Sequence, residues 1–433
     1  MWKFGRSMQW IVARWLIVAA VWVFAAFLLA STTFAATRYV SPTGKATFVA
    51  AGKIHVNSCS NPDRPCRTIN WAVQRAQPGD TISVAGGTYI ETITISKKLT
   101  IKGAGALNIG AGVQPPTLVD GNKQGVVFTI QSGVTADIQD MSIVNGKGGE
   151  QGGGILNLGT TLTLKGVIVG RNEAAGAGGG IFNKGALGLN RVWLYKNKAT
   201  TGGGLFSDGT AILNEVNIHE NEAAGEGGGI HASNLLQVQN SSITNNAGGG
   251  ISINGTMTLL NVTISGNIDP VHTSGLSMGD GAATLRYVTI TANGPSDKAV
   301  SGISKSAGSS VQVDNSIVWG NGKNPQCGTG TSQGTVTTPF SDGGFNIFGD
   351  DSCLGGGFPT GSTSIIADPK LDALHYNGGY FSFSHALKPG SLAIDLVPQD
   401  KCTPRDQRAV TRPIDGDGDG KLKCDAGAFE FKP

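Results

Sequence analysis

The stretches GGGIL (152–156), GGGIF (178–182), GGGLF (202–206), GGGIH (227–231) and GGGIS (248–252) repeat one pattern through the middle of the chain. The copies lie about 25 residues apart, and a period of 20–50 residues is typical of chains built from similar stacked turns. Glycine accounts for 66 of the 433 residues. The regular aliphatic positions favour a repeat fold over low-complexity disorder, because a disordered chain needs few apolar residues.

A second series, of asparagines, keeps the same period. Each lies three residues after an aliphatic residue. The series comprises Asn172, Asn197, Asn221, Asn246, Asn267, Asn293 and Asn321. Asparagine tolerates the left-handed backbone conformation and bonds its local backbone, so we expect these residues at the corners of the turns. Stacked in successive turns, their amides are also expected to hydrogen-bond along the stack.

Short runs rich in Val, Ile and Thr separate the glycines and asparagines, and they have the length and composition of β-strands. We therefore predict an all-β chain, a right-handed parallel β-helix at 81–321. A propeller would need antiparallel blades of about 40 residues. The spacing of apolar residues after Thr68 predicts a short helix with Thr68 as its N-cap, inside an N-terminal cap at 36–80. The period fails at 322–366, which we expect to form irregular coils and loops, and 367–433 is expected to be a small irregular C-terminal module.

Residues 1–35 have the layout of a secretory signal peptide: a basic start, an apolar run from Trp15 to Ala30, and small residues up to Ala35. A retained N-terminal anchor is the alternative. The formal net charge of +3 is carried by Lys3, Arg6 and Arg14, so the rest of the chain is balanced. We expect an exported monomer with no membrane span after cleavage and no nucleic-acid partner, since binding phosphate backbones needs a basic excess.

The six cysteines fall into three local pairs, and an even number in an exported chain favours disulfides. Six cysteines allow 15 pairings. The simplest is Cys59–Cys66, Cys327–Cys353 and Cys402–Cys424.

The segment from Asn172 to Ile181, like that from Asn221 to Ile230, resembles the repeats of polymorphic outer membrane proteins and, more broadly, the pectin-lyase-like β-helices. The C-terminal series resembles a choice-of-anchor Q domain. It includes Asp368-Pro-Lys-Leu371, Asn377-Gly-Gly379, Asp406-Gln-Arg408 and Cys424-Asp-Ala-Gly-Ala-Phe-Glu430. This resemblance implies a secreted or cell-surface protein, often tethered by its C-terminal end.

One acidic loop has the spacing of a cation site. Asp415, Asp417 and Asp419 occupy positions 1, 3 and 5, and Gly420 occupies position 6, as in the first half of a calcium loop. The glutamate of position 12 is missing, and Asp425 is the nearest substitute. We expect these four aspartates to bind a structural Ca²⁺, and a solvated acidic turn is the alternative.

For function, we expect a non-catalytic adhesion or glycan-binding scaffold whose partner is an extracellular glycan or a surface protein. The alternative is a polysaccharide lyase or a glycoside hydrolase. A lyase needs clustered acidic residues and a basic residue that abstracts a proton, whereas a hydrolase needs two carboxylates that face one sugar bond. The best cluster for that alternative is Glu222, Glu226, His219 and His231. Three or more carboxylates converging with Arg or Lys in a groove would favour the enzyme.

The residue after each aliphatic position forms a column of its own: Leu156, Phe182, Phe206 and His231. If this column faces outward, its rings offer a strip that can bind sugars. If it faces inward, it is a core stack, and we expect the core position because β-helices commonly stack like residues inside.

Overall fold

Three parallel sheets run along the stacked turns, and each turn contributes to sheet 1, then sheet 2, then sheet 3. The pairing is parallel and in register, with Ile82 opposite Ile101 and Ile138 opposite Leu164 in sheet 1. A connection between parallel strands in one sheet is almost always right-handed. The prediction of an all-β, right-handed parallel β-helix is confirmed.

This computed structural model describes residues 35–50, 52–106, 116–294, 300–322, 325–329, 340–354, 360–379 and 382–433. Residues from Thr37 to Pro433 form one unit. The predicted signal peptide at 1–35 lies outside the described residues except for Ala35, and it stays a prediction.

Separate strands supply most of the rungs. Sheet 1 contains Thr37–Val40, Thr81–Val84, Leu99–Lys102, Thr135–Gln139, Thr161–Lys165, Ser310–Asp314 and Ser341–Asp342. Sheet 2 contains Gly87–Ile90, Thr117–Asp120, Ser142–Val144, Ile168–Gly170, Ile317–Trp319, Ile347–Phe348 and Ile365–Ile366. Sheet 3 contains Ile93–Ile95, Phe128–Ile130, Ile155–Asn157, Ile181–Asn183, Leu205–Ser207, Ile230–Ala232, Ile303–Lys305 and Cys327–Thr329.

Five longer strands continue through the corners between sheets. Ala186–Tyr195, Ala211–His219 and Leu235–Thr244 run from sheet 1 into sheet 2, and Ile251–Ser265 and Leu276–Thr291 pass through all three sheets. A short sheet between sheets 2 and 3 consists of Lys147–Gly148, Glu173–Ala174, Lys198–Ala199 and Glu222–Ala223.

The N-terminal cap holds one short helix, α1, at Ile69–Arg75. Its N-cap is Thr68, whose Oγ1 accepts a hydrogen bond from Trp71 N at 3.2 Å, as the sequence predicts. The Glu91 carboxylate accepts the two preceding N–H groups, from Ile69 at 2.8 Å and Asn70 at 2.9 Å. The free N–H groups at the start of the helix are thereby satisfied. No helix in the described part of the chain is long and apolar enough to cross a membrane.

The asparagine series forms a continuous buried ladder inside the corner after sheet 2. Asn197 Nδ2 donates to Asn221 Oδ1 at 3.0 Å, and Asn221 Nδ2 donates to Asn246 Oδ1 at 2.9 Å. Each amide also bonds backbone, as when Asn221 Nδ2 donates to Leu194 O at 2.9 Å. The ladder ends at Gln326, whose Oε1 accepts from Asn321 Nδ2 at 2.9 Å. The predicted bonding along the stack is confirmed.

The left-handed residue at this corner is the one before each ladder asparagine. Arg171, Lys196 and Glu220 have φ of 58°, 51° and 54°. The prediction that the asparagines themselves take this conformation is wrong. The exposed neighbour makes the sharp bend, and the asparagine is left free to turn its amide inward and stack.

The glycine triplets allow the corner before sheet 3 to pack backbone against backbone. Gly178 adopts a positive φ of 72°. A Cβ on Gly180 would lie 2.5 Å from Gly204 O and 2.9 Å from Asn197 Nδ2. Atoms cannot approach that closely, so only glycine fits this position in the present packing.

The sheets continue beyond residue 321, where the sequence period is lost. Cys327 pairs with Ile303 in sheet 3, and Ile347 pairs with both Ile317 and Ile365 in sheet 2. Residues 322–366 were expected to form irregular coils and loops. The described ones among them combine loops with further parallel rungs, which continue the register of sheets 2 and 3.

The C-terminal residues pack on the outer side of sheet 2. Tyr287, Ile317 and Ile347 belong to the β-helix, but their side chains share an apolar cluster with Val397 and Phe429. Hydrogen bonds fix the contact, including Thr263 Oγ1 to Gln407 Oε1 at 2.6 Å and Ala428 N to Thr289 Oγ1 at 3.0 Å. Among the described strands of this segment, Leu371–His375 pairs antiparallel with Ser384–Leu387.

All six cysteines are paired in disulfides, as Cys59–Cys66, Cys327–Cys353 and Cys402–Cys424. The simplest pairing read from the sequence is confirmed. Each bridge joins residues close in sequence, so the disulfides hold local loops at both ends of the β-helix and in the C-terminal segment.

Candidate functional site

The column Leu156, Phe182, Phe206 and His231 lies on the outer face of sheet 3. These residues pair directly in register across neighbouring rungs. Strand residues alternate between faces, and the flanking Ile181 and Asn183 are 0% exposed in the interior. The expectation that this column is a core stack is wrong, because the residues that follow the column positions take the inward positions; they are Asn157, Asn183, Ser207 and Ala232, all 0% exposed.

The rings of this column are stacked face to face. Phe182 and Phe206 have centroids 5.1 Å apart and 6° between planes, and Phe206 and His231 have the same 5.1 Å separation at 7°. Phe182 is 1% exposed, whereas Phe206 and His231 are half-buried. We name Phe182, Phe206 and His231 the ring column. Its accessible end is therefore at Phe206 and His231.

Beyond His231 the same column continues with hydroxyl groups, since Ser252, Ser277 and Ser304 follow in register. Ser252 Oγ donates to Glu226 Oε2 at 2.7 Å, and Glu226 reaches this point from the loop that precedes the strand of His231. The outer face of sheet 3 thus changes from rings to polar groups at one rung.

Glu226 belongs to a chain of acidic and histidine side chains. Its Oε1 lies 3.8 Å from His272 Nε2, and His272 Nδ1 lies 3.3 Å from Asp269 Oδ2. The other oxygen of Asp269 accepts backbone N–H groups of Val271 and His272, both at 2.8 Å. Asp269 therefore fixes the loop that presents His272, while the Glu226 and His272 side chains remain 41% and 29% exposed. We name Glu226, Ser252, Asp269 and His272 the polar cluster.

Burial lowers the pKa of His231, against the opposing effect of the carboxylates of Glu226 and Asp208. His231 is therefore neutral at physiological pH. Its buried Nδ1 has no hydrogen-bond partner among the described residues. The ring thus offers an uncharged, partly apolar surface beside an exposed carboxylate.

The four residues of the predicted catalytic cluster are divided between different faces. Only Glu226 and His231 meet at the ring column. Glu222 lies on the short sheet, where its Oε1 bonds Lys198 Nζ at 2.6 Å. His219 packs in an aromatic cluster with Trp193, Tyr195 and Phe383, and burial lowers its pKa. His219 and Glu222 are thus removed from the site.

Sequence reasoning missed three residues of the polar cluster. Ser252 occupies the column position of His231 one repeat later, in GGGIS, so its place was recoverable from the register. Asp269 and His272 lie in an insertion between rungs that carries no repeat signal. Their position follows only from how that loop folds back over sheet 3.

The predicted calcium aspartates are also separated. One carboxylate oxygen each of Asp415 and Asp417 lies within 4.8 Å of the other and of one oxygen of Asp395. Asp419 is instead paired with Lys421 Nζ at 3.1 Å. Asp425 is buried, and its Oδ1 accepts from Asp395 N at 2.9 Å. Burial raises the pKa of Asp425 to about 7.

A crystal structure of the pectate lyase Pel9A superimposes on this chain with a TM-score of 0.56, covering 93% of this chain and 98% of that one. The fold is that of a pectate lyase β-helix. The two sequences are 14% identical, so the similarity to Pel9A concerns the fold alone. No protein-family model and no curated protein matches the chain by sequence.

Proposed function

We propose that the protein is an extracellular polysaccharide-binding β-helix that holds a glycan along the outer face of sheet 3. The observation that carries the proposal is the ring column and the polar cluster that continues it on the next rungs. Three disulfides support an oxidising, extracellular location.

The chemistry of this strip suits a sugar chain. Phe206 and the neutral His231 offer apolar ring surface, and ligand sites combine such surface with a few polar groups that fix orientation. The exposed carboxylate of Glu226 accepts hydrogen bonds from ligand hydroxyls, and the buried Ser252 holds that carboxylate in place through its hydrogen bond to Oε2. Rungs repeat about every 4.8 Å along the face, so contacts repeat in the direction in which a polymer would lie.

The test is a glycan array followed by calorimetric titration of the best ligand with variants. Glu226→Gln and Phe206→Ala are expected to weaken binding at least about tenfold, because tenfold corresponds to the loss of roughly one good contact, about 1.4 kcal/mol. Glu222→Gln is the matched control: it makes the same chemical change four residues away, on the short sheet. Equal affinities for Glu226→Gln, Phe206→Ala and wild type would contradict the proposal.

The second candidate function is polysaccharide cleavage, and two observations favour it. The structural neighbour is a pectate lyase, and the His272 ring lies between two carboxylates, 3.8 Å from Glu226 Oε1 and 3.3 Å from Asp269 Oδ2. Against a lyase, the described ion pairs place no Arg or Lys in the polar cluster, whereas the expected lyase arrangement joins several carboxylates to a basic group.

Cleavage is tested directly by a screen of acidic and neutral polysaccharides for unsaturated ends by ultraviolet absorbance and for new reducing ends. Binding without cleavage is the expected result. Product formation that is lost in Glu226→Gln and kept in Glu222→Gln would replace the scaffold proposal with an enzyme.

A further inference from the structure

Three carboxylates converge at the edge of the C-terminal segment, far along the chain from the ring column. Asp415 and Asp417 come from one tight loop, and Asp395 comes from the turn at 392–395. One oxygen from each lies within 4.8 Å of the others. Among the described ion pairs none involves these three residues. Three like charges at this distance repel each other unless a cation lies between them.

The loop is already folded around its acidic groups. Asp415 accepts from Gly418 N at 2.8 Å through Oδ1 and from Gly420 N at 2.9 Å through Oδ2. Asp395 Oδ2 accepts from Gly416 N and Asp417 N, both at 2.8 Å. The Asp395 carboxylate is thus held directly against the loop through Oδ2, and each oxygen of Asp415 keeps a second lone pair.

A separate observation indicates a ligand. Asp395 is 5% exposed, and its Oδ1 is buried with no hydrogen-bond partner among the described residues. A buried carboxylate oxygen without a partner is costly, so such an atom calls for an explanation, an ion among them. A bound cation would give this oxygen a partner and would offset the repulsion among the three carboxylates.

The donors select the type of cation. Carboxylate oxygens are the ligands of hard cations, and Ca²⁺ binds oxygen at about 2.3–2.6 Å. Two oxygens bound to one Ca²⁺ therefore lie at most about 5 Å apart, which accommodates the separation here. The remaining coordination would come from backbone carbonyls and water, which suits the flexible geometry of Ca²⁺ better than the strict octahedron of Mg²⁺.

We propose that Asp395, Asp415 and Asp417 bind one Ca²⁺, which joins the loop at 415–420 to the segment that carries Asp395. This set differs from the one expected from the loop spacing, because Asp395 replaces Asp425 and Asp419 is turned toward Lys421. Asp425 acts as a positioning residue, since its carboxylate holds the backbone N–H of Asp395. The proposal is independent of glycan binding.

The test uses the whole exported protein, treated with a chelator, dialysed, and titrated with CaCl₂ by calorimetry and by thermal unfolding. We expect one binding event and an unfolding temperature that rises with Ca²⁺ concentration. Asp417→Asn is expected to weaken the Ca²⁺ affinity at least about tenfold. Mutating residues that only hydrogen-bond to metal ligands already lowers metal affinity about 10–100-fold. Asp417 is exposed, so this variant should fold. Circular dichroism checks that it does.

Asp419→Asn is the matched control within the same loop and should bind Ca²⁺ like wild type. Absence of a calcium heat and of a thermal shift in wild type would overturn the proposal. So would a loss of binding in Asp419→Asn with none in Asp417→Asn. An equal response to MgCl₂ would overturn the assignment to calcium.

Discussion

Replacing Asn221 by alanine interrupts the asparagine ladder at its middle. The Asn221 side chain is buried, and its Oδ1 accepts from both Asn197 N at 3.1 Å and Asn197 Nδ2 at 3.0 Å. Its Nδ2 donates to Leu194 O and Asn246 Oδ1, both at 2.9 Å. The variant thus leaves the backbone N–H of Asn197 without its partner and removes hydrogen bonds on both neighbouring rungs.

The expected loss of stability follows from these bonds. A buried donor left without a partner costs about 1–3 kcal/mol, and each of the two lost Nδ2 bonds contributes about 0.5–1.5 kcal/mol. We therefore expect Asn221→Ala to lower the free energy of unfolding by about 2–6 kcal/mol. The residue before it keeps its left-handed bend, so the turn itself does not change.

Equilibrium unfolding in urea, followed by tryptophan fluorescence, measures this difference. Asn254→Ala is the control, since Asn254 is exposed on the β-helix and surface substitutions stay within about 0.5 kcal/mol. If Asn221→Ala and Asn254→Ala unfold at the same urea concentration with the same slope, the ladder does not stabilise the stack and the reasoning is refuted.

Three further predictions test other parts of the molecule. Gly180→Ala should abolish or sharply reduce the folded yield, because its Cβ would meet Gly204 O at 2.5 Å, whereas Gly188→Ala, whose nearest atom is 3.8 Å away, should purify and melt like wild type. His385 should make stability pH-dependent: burial lowers its pKa in the folded state, so the unfolded chain binds the extra proton and stability falls as the pH drops below about 6.5. In melting curves between pH 8 and pH 5, this loss of stability should be smaller in His385→Gln. It should be unchanged in the control His55→Gln, because His55 lies on the exposed strand Lys53–Val56, which pairs antiparallel with Thr47–Ala50. Reduction of the disulfides should lower the unfolding temperature. The double variant Cys327→Ser/Cys353→Ser, which opens a 26-residue loop, should lower the free energy of unfolding by about 3 kcal/mol. An unchanged urea midpoint in this variant would contradict the prediction.

The fold was predictable because the repeated residues are ones that stacked turns specifically require. Gly180 and Gly204 are required where turns approach closely, and Asn197 and Asn221 are required where amides stack. These residues set the turn length and the register. Past residue 321 the rungs persist, yet their spacing varies with the inserted loops, so Cys327 and Ile347 could not be assigned to sheets from spacing alone.

The candidate site was predictable only in part, for a physical reason. Glu226 and His231 share a rung and lie near each other in sequence, so the sequence brings them together. Whether His231 faces inward or outward depends on the asparagine and serine positions that fill the interior, and the sequence alone left this open. His272 and Asp395 reach their partners through loop folding over 46 and 20 residues in sequence, and no local pattern reports such contacts.

The packing of the C-terminal segment has a consequence for how the protein is made. Its contacts with sheet 2 join residues far apart in sequence: His385 reaches Ser265, 120 positions back, and Arg412 reaches Asn261, 151 positions back. Neighbouring turns, by contrast, join residues about one repeat apart, so we expect their contacts to form before those of the C-terminal segment. Until that segment packs, Tyr287 and Ile317 remain uncovered, and a chain cut short before residue 380 would expose these apolar side chains to chaperones or to other copies of itself.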